Sequence, residues 1–435
     1  SRAPLDELDT STLTRRNYAT FPMYFMGRVL SALGGLLVIP ALFAVAKRLS
    51  GQYAGFAAGL LAAVAFPLVH HAHYATTSSL ATGFVAVSLW ATIMALRASP
   101  AKLHVWLLIA IISAGLATGN RYNAGISFIC VGLAYVYLLW QQRTLFMLRI
   151  IFISGIVGVF VFILTSPFII LDAPIFWEQL TSITSAYKTP STGIDFGLAY
   201  IFLYIAVAVL GVVGVPMAGI GMYELFRDKS SRAIGVIIML VIIAYTVIAL
   251  DNERTQVSEQ LILIIAPYFI VLVAVGIEWV RSHTGSILSG GLLLAMLLIP
   301  TTMSVQFNML IQQPDTRDKM QAWIYDTIPR GTAIIIAGSY NIGLDPTHYD
   351  VVYRYNVATI SEADFENADY IVLSDANLFL DRVFGGEMSF PSNVTPYLQT
   401  LPIAHIERPP WLFYDLPINL ASYWHNATLS VYRLE

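Results

Sequence analysis

Ten separate apolar runs constrain this chain more than any other feature. They cover roughly residues 29–46, 53–68, 80–96, 103–118, 124–140, 150–170, 198–222, 234–250, 261–280 and 287–305. A hydrocarbon core takes about 20 apolar residues per helix. Backbone polar groups inside it must be satisfied within the segment, so each run is predicted to be helical. The second and fourth are short; they extend into flanking polar residues or line a cavity. Charged residues make up 12% of the chain, about half the share usual in a soluble domain. Together with 57% hydrophobic residues, this excludes a soluble enzyme, a disordered chain and a nucleic-acid binder with a basic face.

The loops alternate in charge. One set holds Lys47, Arg48, Arg97, Lys102, Arg143, Arg149, Arg227, Lys229, Arg232 and Arg281, with only Glu224, Asp228 and Glu278 against them. The other set holds Asp6, Glu7, Asp9, Asp172, Glu178, Asp195, Asp251, Glu253 and Glu259. Short basic loops stay on the cytoplasmic side. The chain is therefore expected to be a multi-pass protein of a plasma or inner membrane, with both ends extracytoplasmic. Three parts are predicted: an extracytoplasmic N-terminal segment, 1–27; a membrane body, 28–308; and a soluble extracytoplasmic α/β domain, 309–435. From Asp315 onward there are 15 acidic and 7 basic residues, so this last domain is acidic. The N-terminal segment has no hydrophobic core of a signal peptide, and the chain is expected to begin after a removed or unseen segment.

The last domain alternates helix and strand signals. Residues 315–328 have helical period with Asp315 as N-cap, and 361–367 read as a short helix opened by Ser361. Strands are predicted over 333–337, 351–355, 368–374 and 429–434. That alternation argues a partly parallel sheet. In the body, the longest outer loop carries Ile175, Phe176, Leu180 and Ile183 at helical spacing beside Trp177, which predicts an interfacial helix over 174–187. The one cysteine, Cys130, lies in an apolar run and reads as packing.

Several stretches resemble the GT-C superfamily of lipid-linked-sugar-dependent glycosyltransferases, nearest the protein O-mannosyltransferase and aminoarabinose-transferase branch. They are Arg28-Val-Leu-Ser-Ala-Leu-Gly-Gly-Leu-Leu-Val38 with Ala46-Lys-Arg-Leu49, His71-Ala-His-Tyr-Ala-Thr76, Gly115-Leu-Ala-Thr-Gly-Asn-Arg-Tyr-Asn123, Ser166-Pro-Phe-Ile-Ile-Leu-Asp172, and in the tail Asp315-Thr-Arg317 and Ala368-Asp-Tyr-Ile-Val372. Their order and spacing fit over nearly the whole chain. The resemblance implies transfer of a sugar from a polyprenyl-phosphate carrier to an extracytoplasmic acceptor by single displacement. It implies no nucleotide, no metal and no other cofactor. A carboxylate in the first outer loop would deprotonate the acceptor, which points to Asp6 and Glu7. The family's usual second acid is replaced here by Ser78, and an Arg usual before the proline that corresponds to Pro267 is replaced by Gln260.

Cations must hold the leaving phosphate. Arg121 follows a span on the outer side and is the first candidate, with a lipid headgroup or an acid such as Asp172 as its other possible partner. Tyr122 stands beside it, and Lys188 and Arg254 are the other outer cations. His70, His71 and His73 crowd one outer helix end. Adjacent positions do not share a helix face, so no metal site is assigned there, and His73 is taken as a hydrogen-bonding group for donor or acceptor. Two other functions stay open: a catalytically inactive GT-C-like subunit acting as scaffold in a membrane complex, and a transporter. Absent acids favour the scaffold. Spans almost free of charge and an absence of repeated halves speak against the transporter.

Overall fold

The computed structural model describes residues 22–186, 202–250, 259–337, 341–354, 357, 360–374, 394, 401–407 and 428–434. The chain divides into a helical unit, Met26–Ser304, and a second unit that includes Val305–Glu435.

The helical unit is built from α1 (Pro22–Ser50), α2 (Gln52–Val64), α3 (Phe66–Ala72), α4 (Thr77–Leu96), α5 (Pro100–Asn120), α6 (Ile126–Gln142), α7 (Leu145–Thr165), α8 (Ala173–Ala186), α9 (Gly214–Arg227), α10 (Arg232–Leu250), α11 (Glu259–Thr284) and the start of α12 (Ser286–Ile311). Each of the ten apolar runs is helical over most of its described residues. Among the described residues, seven helices are long and apolar enough to cross a membrane alone, and two bent pairs bring the number to nine if each pair is one span. Arg232–Val247 is a shorter apolar helix. The chain is a polytopic helical membrane protein with a small C-terminal sheet.

The two bends have local causes. Between α2 and α3 the axis turns by 53°. Ala65 leaves the helical region with ψ 114°, and Pro67 stands in the first turn of α3, where its missing N–H costs nothing. The run over 198–222 turns by 102° between Phe202–Val209 and α9. A π turn, Ile205–Val209, leads into Gly211 at φ +63°. A side chain on Gly211 would also overlap the Met296 carbonyl oxygen. Only glycine meets both demands.

Helix α11 is the spine. Leu263, Ile264, Ala266, Tyr268, Ile270 and Val271 are wholly buried, as expected of a helix that is apolar all round. Its tightest neighbour is α9. A methyl group on Gly221 would overlap the Leu272 carbonyl oxygen, and one on Gly276 the Met217 carbonyl oxygen. Helices in lipid gain from such close backbone approach, because apolar burial alone does not drive them together. Helix α7 is the opposite case. Phe152, Ile153, Val159, Phe160 and Leu164 are all exposed, a face suited to acyl chains.

In the second unit, β1 (Ala333–Ala337) lies between β2 (Asp350–Arg354) and β3 (Tyr370–Ser374), parallel to both. Strand β5 (Leu429–Arg433) joins β3 antiparallel and carries β4 (Ala404–Ile406) at the edge. The sheet is thus partly parallel, as its alternating sequence implies. Ile334, Ile336, Val372 and Val431 pack on one face with Met320 and Ile324 of α13 (Thr316–Thr327). Ile335, Ile371 and Leu373 pack on the other with Phe365 of α14 (Glu362–Glu366). Asp315 caps α13 and Ser361 caps α14, the latter in a reciprocal capping box with Asp364. Arg354 holds the Asp364 carboxylate at 2.6 Å and, with the Ser361 backbone, lowers its pKa to about 2.

The glycine contact gives a direct test. Gly276→Ala should force α9 and α11 apart and cost about 1–3 kcal/mol. The thermal midpoint of the purified protein in detergent should fall, whereas Gly219→Ala, where a methyl group meets open space, should leave it nearly unchanged.

Candidate functional site

Polar side chains collect at one end of the helical unit, where α3 and α5 finish and α4, α6 and α11 begin. The basic loops belong to the other helix ends. There Arg97, after α4, donates to the Arg48 carbonyl and to Ser231 Oγ, at 2.5 Å each.

The centre of the polar end is Glu259, the first residue of α11 and only 6% exposed. His70 Nδ1 lies 2.6 Å from its Oε2, and His71 Nε2 lies 3.3 Å from the same oxygen. The hydroxyl of Tyr204 donates to Oε1. His70 and His71 are buried as well. A buried carboxylate requires such partners, since desolvating an ion without them costs several kcal/mol. Neighbouring histidines do converge here, contrary to the sequence expectation. The shared partner comes from another helix and sits between them, so they need not share a face of their own helix. His73 Nδ1 meets the Val69 carbonyl of α3 at 2.8 Å.

Arg121 caps α5 in extended conformation and sends Nη1 to Ser78 Oγ at 2.5 Å. Ser78, fully buried in the first turn of α4, fixes one arm of the guanidinium fork. Arg121 also lies within electrostatic range of His71, so cation and histidine pair belong to one neighbourhood. Tyr122 opens a 3-10 turn, Tyr122–Gly125. It is half exposed and meets the rings of Phe162 at 6.3 Å and Phe176 of α8 at 5.7 Å. Asn123 donates to Tyr245 of α10 at 3.3 Å, and Tyr245 donates to the Leu261 carbonyl at 2.6 Å. The stretch Asn120-Arg-Tyr-Asn123 is thereby tied to the start of α11.

Asp6, Glu7, Lys188 and Arg254 lie outside the described residues. Of the sequence candidates, Arg121, Tyr122 and His73 stand at the polar end. Glu259 and Tyr204 were not singled out from sequence. Glu259 reads there as one more outer-loop acid, and its partners are 189 and 55 residues away. An acid abutting an apolar run was the signal that could have found it.

Chemically, this end offers a clamped guanidinium for a phosphate, a rigid carboxylate with two imidazoles, and aromatic faces toward the lipid boundary. The Tyr204 contact is testable alone. Tyr204→Phe should lower the thermal midpoint, because a hydrogen bond to a charged group contributes about 1.5–3 kcal/mol. An unchanged midpoint would show that the carboxylate does not depend on it.

Residues 23–171 match the family model described as dolichyl-phosphate-mannose-protein mannosyltransferase. The chain is similar in fold to ArnT from Cupriavidus metallidurans bound to undecaprenyl phosphate, with TM-score 0.52, 14% identity, and coverage of 94% of this chain and 84% of that one. The apo form of the same ArnT gives TM-score 0.50 and 13% identity, covering 93% and 83%. Curated protein sequences contain no match. The chain therefore has the GT-C glycosyltransferase fold, ArnT-like in architecture and with a protein-mannosyltransferase signature over residues 23–171.

Proposed function

We propose that this protein transfers a sugar from a polyprenyl-phosphate carrier to an extracytoplasmic acceptor by single displacement, with no metal in the reacting step. The observation that carries the proposal is the fold shared over 94% of the chain with a structure that binds undecaprenyl phosphate. Arg121, anchored on Ser78 at the polar helix end, supplies the matching chemistry.

The acceptor oxygen forms a bond to C1 of the sugar as the bond from C1 to the phosphate oxygen breaks. The acceptor proton goes to a carboxylate, for which Asp6 and Glu7 are the candidates. Negative charge gathers on the leaving polyprenyl phosphate. Arg121 meets it with paired N–H groups, and Lys188 and Arg254 add positive charge. His73 and Tyr122 would hydrogen-bond the sugar or its phosphate. A second reading, a subunit of the same fold without catalysis, is favoured by the buried hydroxyl of Ser78, which contributes no negative charge where relatives of this type usually have an acid.

Arg121→Ala should weaken binding of undecaprenyl phosphate by about 10- to 100-fold, the loss expected for a charge-assisted hydrogen bond. Arg121→Lys should recover only part of it. Release of polyprenyl phosphate from a polyprenyl-phosphate sugar tests turnover: release by the wild type supports the enzyme, and binding without release supports the scaffold. Equal binding by wild type and Arg121→Ala would remove Arg121 from the site.

The expected ten spans and the alternation of basic loops support an extracytoplasmic position for the domain from Asp315 onward. Protease added to sealed right-side-out vesicles should cut that domain and spare the Arg227–Arg232 loop. The reverse pattern would move the reaction to the cytoplasm.

A further inference from the structure

We propose that His70, His71 and Glu259 form a binding site for a divalent transition-metal ion, zinc before others, that ties α3 to the start of α11. One ligand atom from each of the three side chains lies within 4.8 Å of the other two. All three residues are at least nine-tenths buried.

The distances suit an ion. Zinc binds imidazole nitrogen and carboxylate oxygen at about 2.0–2.2 Å, so tetrahedral ligand atoms stand about 3.3–3.5 Å apart. His71 Nε2 and Glu259 Oε2 are already 3.3 Å apart. His70 Nδ1, at 2.6 Å from that oxygen, has to withdraw by less than about 1 Å to make room.

A second observation points the same way. His71 Nδ1 is shielded from solvent and makes no hydrogen bond among the described residues, while Nε2 has the 3.3 Å approach to Glu259 Oε2. Leaving a buried polar nitrogen without a partner costs about 1–3 kcal/mol. Coordination would satisfy one nitrogen by its lone pair. Charge agrees as well. Glu259 is a carboxylate held away from solvent, and a divalent cation offsets its charge where solvent cannot.

The donor set selects the metal class. Two nitrogens and a carboxylate suit zinc and its neighbours, whereas calcium and magnesium take six or more oxygens. Tyr204, donating to the other oxygen of Glu259, is the outer partner that ligating carboxylates commonly have. The ion is a clamp between helices and takes no step in sugar transfer, so the site stands or falls independently of that activity.

The test uses the full chain in detergent, stripped with a chelator and titrated with Zn²⁺ alone. We expect stoichiometric zinc by elemental analysis after dialysis, and a rise in thermal midpoint on zinc addition. Co²⁺ in its place should give the visible absorption of a four-coordinate ion. Loss of a ligand should cost more than the roughly 10- to 100-fold that removal of an outer partner costs. His71→Gln and Glu259→Gln should therefore lose both the retained zinc and the thermal shift, while His73→Gln keeps them. Each variant is first shown to elute as a monodisperse species; if Glu259→Gln does not, His71→Gln carries the result. Folded wild type that retains no zinc and shows no shift overturns the proposal, as does equal zinc retention by His71→Gln.

Discussion

A carboxylate with almost no solvent, standing at the head of the most buried helix, sets the terms for everything packed around it. Glu259 could not occupy the mouth of α11 without groups arriving from elsewhere in the chain. His70 and His71 come from the short helix after the first bend, and Tyr204 from the segment before the second. Each bend turns an apolar run aside near the point where such a polar partner is needed. Backbone irregularity within a membrane body is tolerated where protein surrounds it, and here it is matched to a buried charge.

The spine that begins at Glu259 is held by contacts of another kind. Gly221 and Gly276 bring α9 and α11 to backbone distance, and Tyr245 reaches the Leu261 carbonyl from α10. These contacts leave little freedom for the first turn of α11. Arg121 inherits that rigidity, because Asn123, two residues on, bonds the same tyrosine. A guanidinium anchored on Ser78 and backed by such a scaffold is preorganised for an anion.

Much of this was legible in the sequence because hydropathy and helix caps act locally. The ten runs, the Asp315 and Ser361 caps and four of the five strands follow from neighbouring residues. Strand β4 spans only Ala404–Ile406, too short to establish an alternation of its own. By sequence alone both bends pass for continuous spans, since Pro67 and Gly211 are residues that membrane helices also accept without breaking. The histidine pair was visible as a cluster, but its meaning depended on an acid 189 residues further on. Arg121 was found as a cation that needs a partner. That one partner is the Ser78 hydroxyl in the first turn of α4 is a fact of packing, which no local pattern records.

One consequence lies in the last turn of α2. The bend at Ala65 takes the chain out of the helix, so carbonyl groups of that turn lose the amides that would have continued the ladder. One of them, on Val64, instead receives the hydroxyl of Ser304 from α12 at 2.9 Å. The two residues are 240 positions apart. The kink and the serine are therefore coupled through one hydrogen bond. A lineage that straightened the helix would release position 304 to become apolar, and a lineage that lost the hydroxyl first would carry an unsatisfied carbonyl in its interior until the helix straightened. Across divergent relatives, the helix breaker near position 67 and the hydroxyl at position 304 should come and go together.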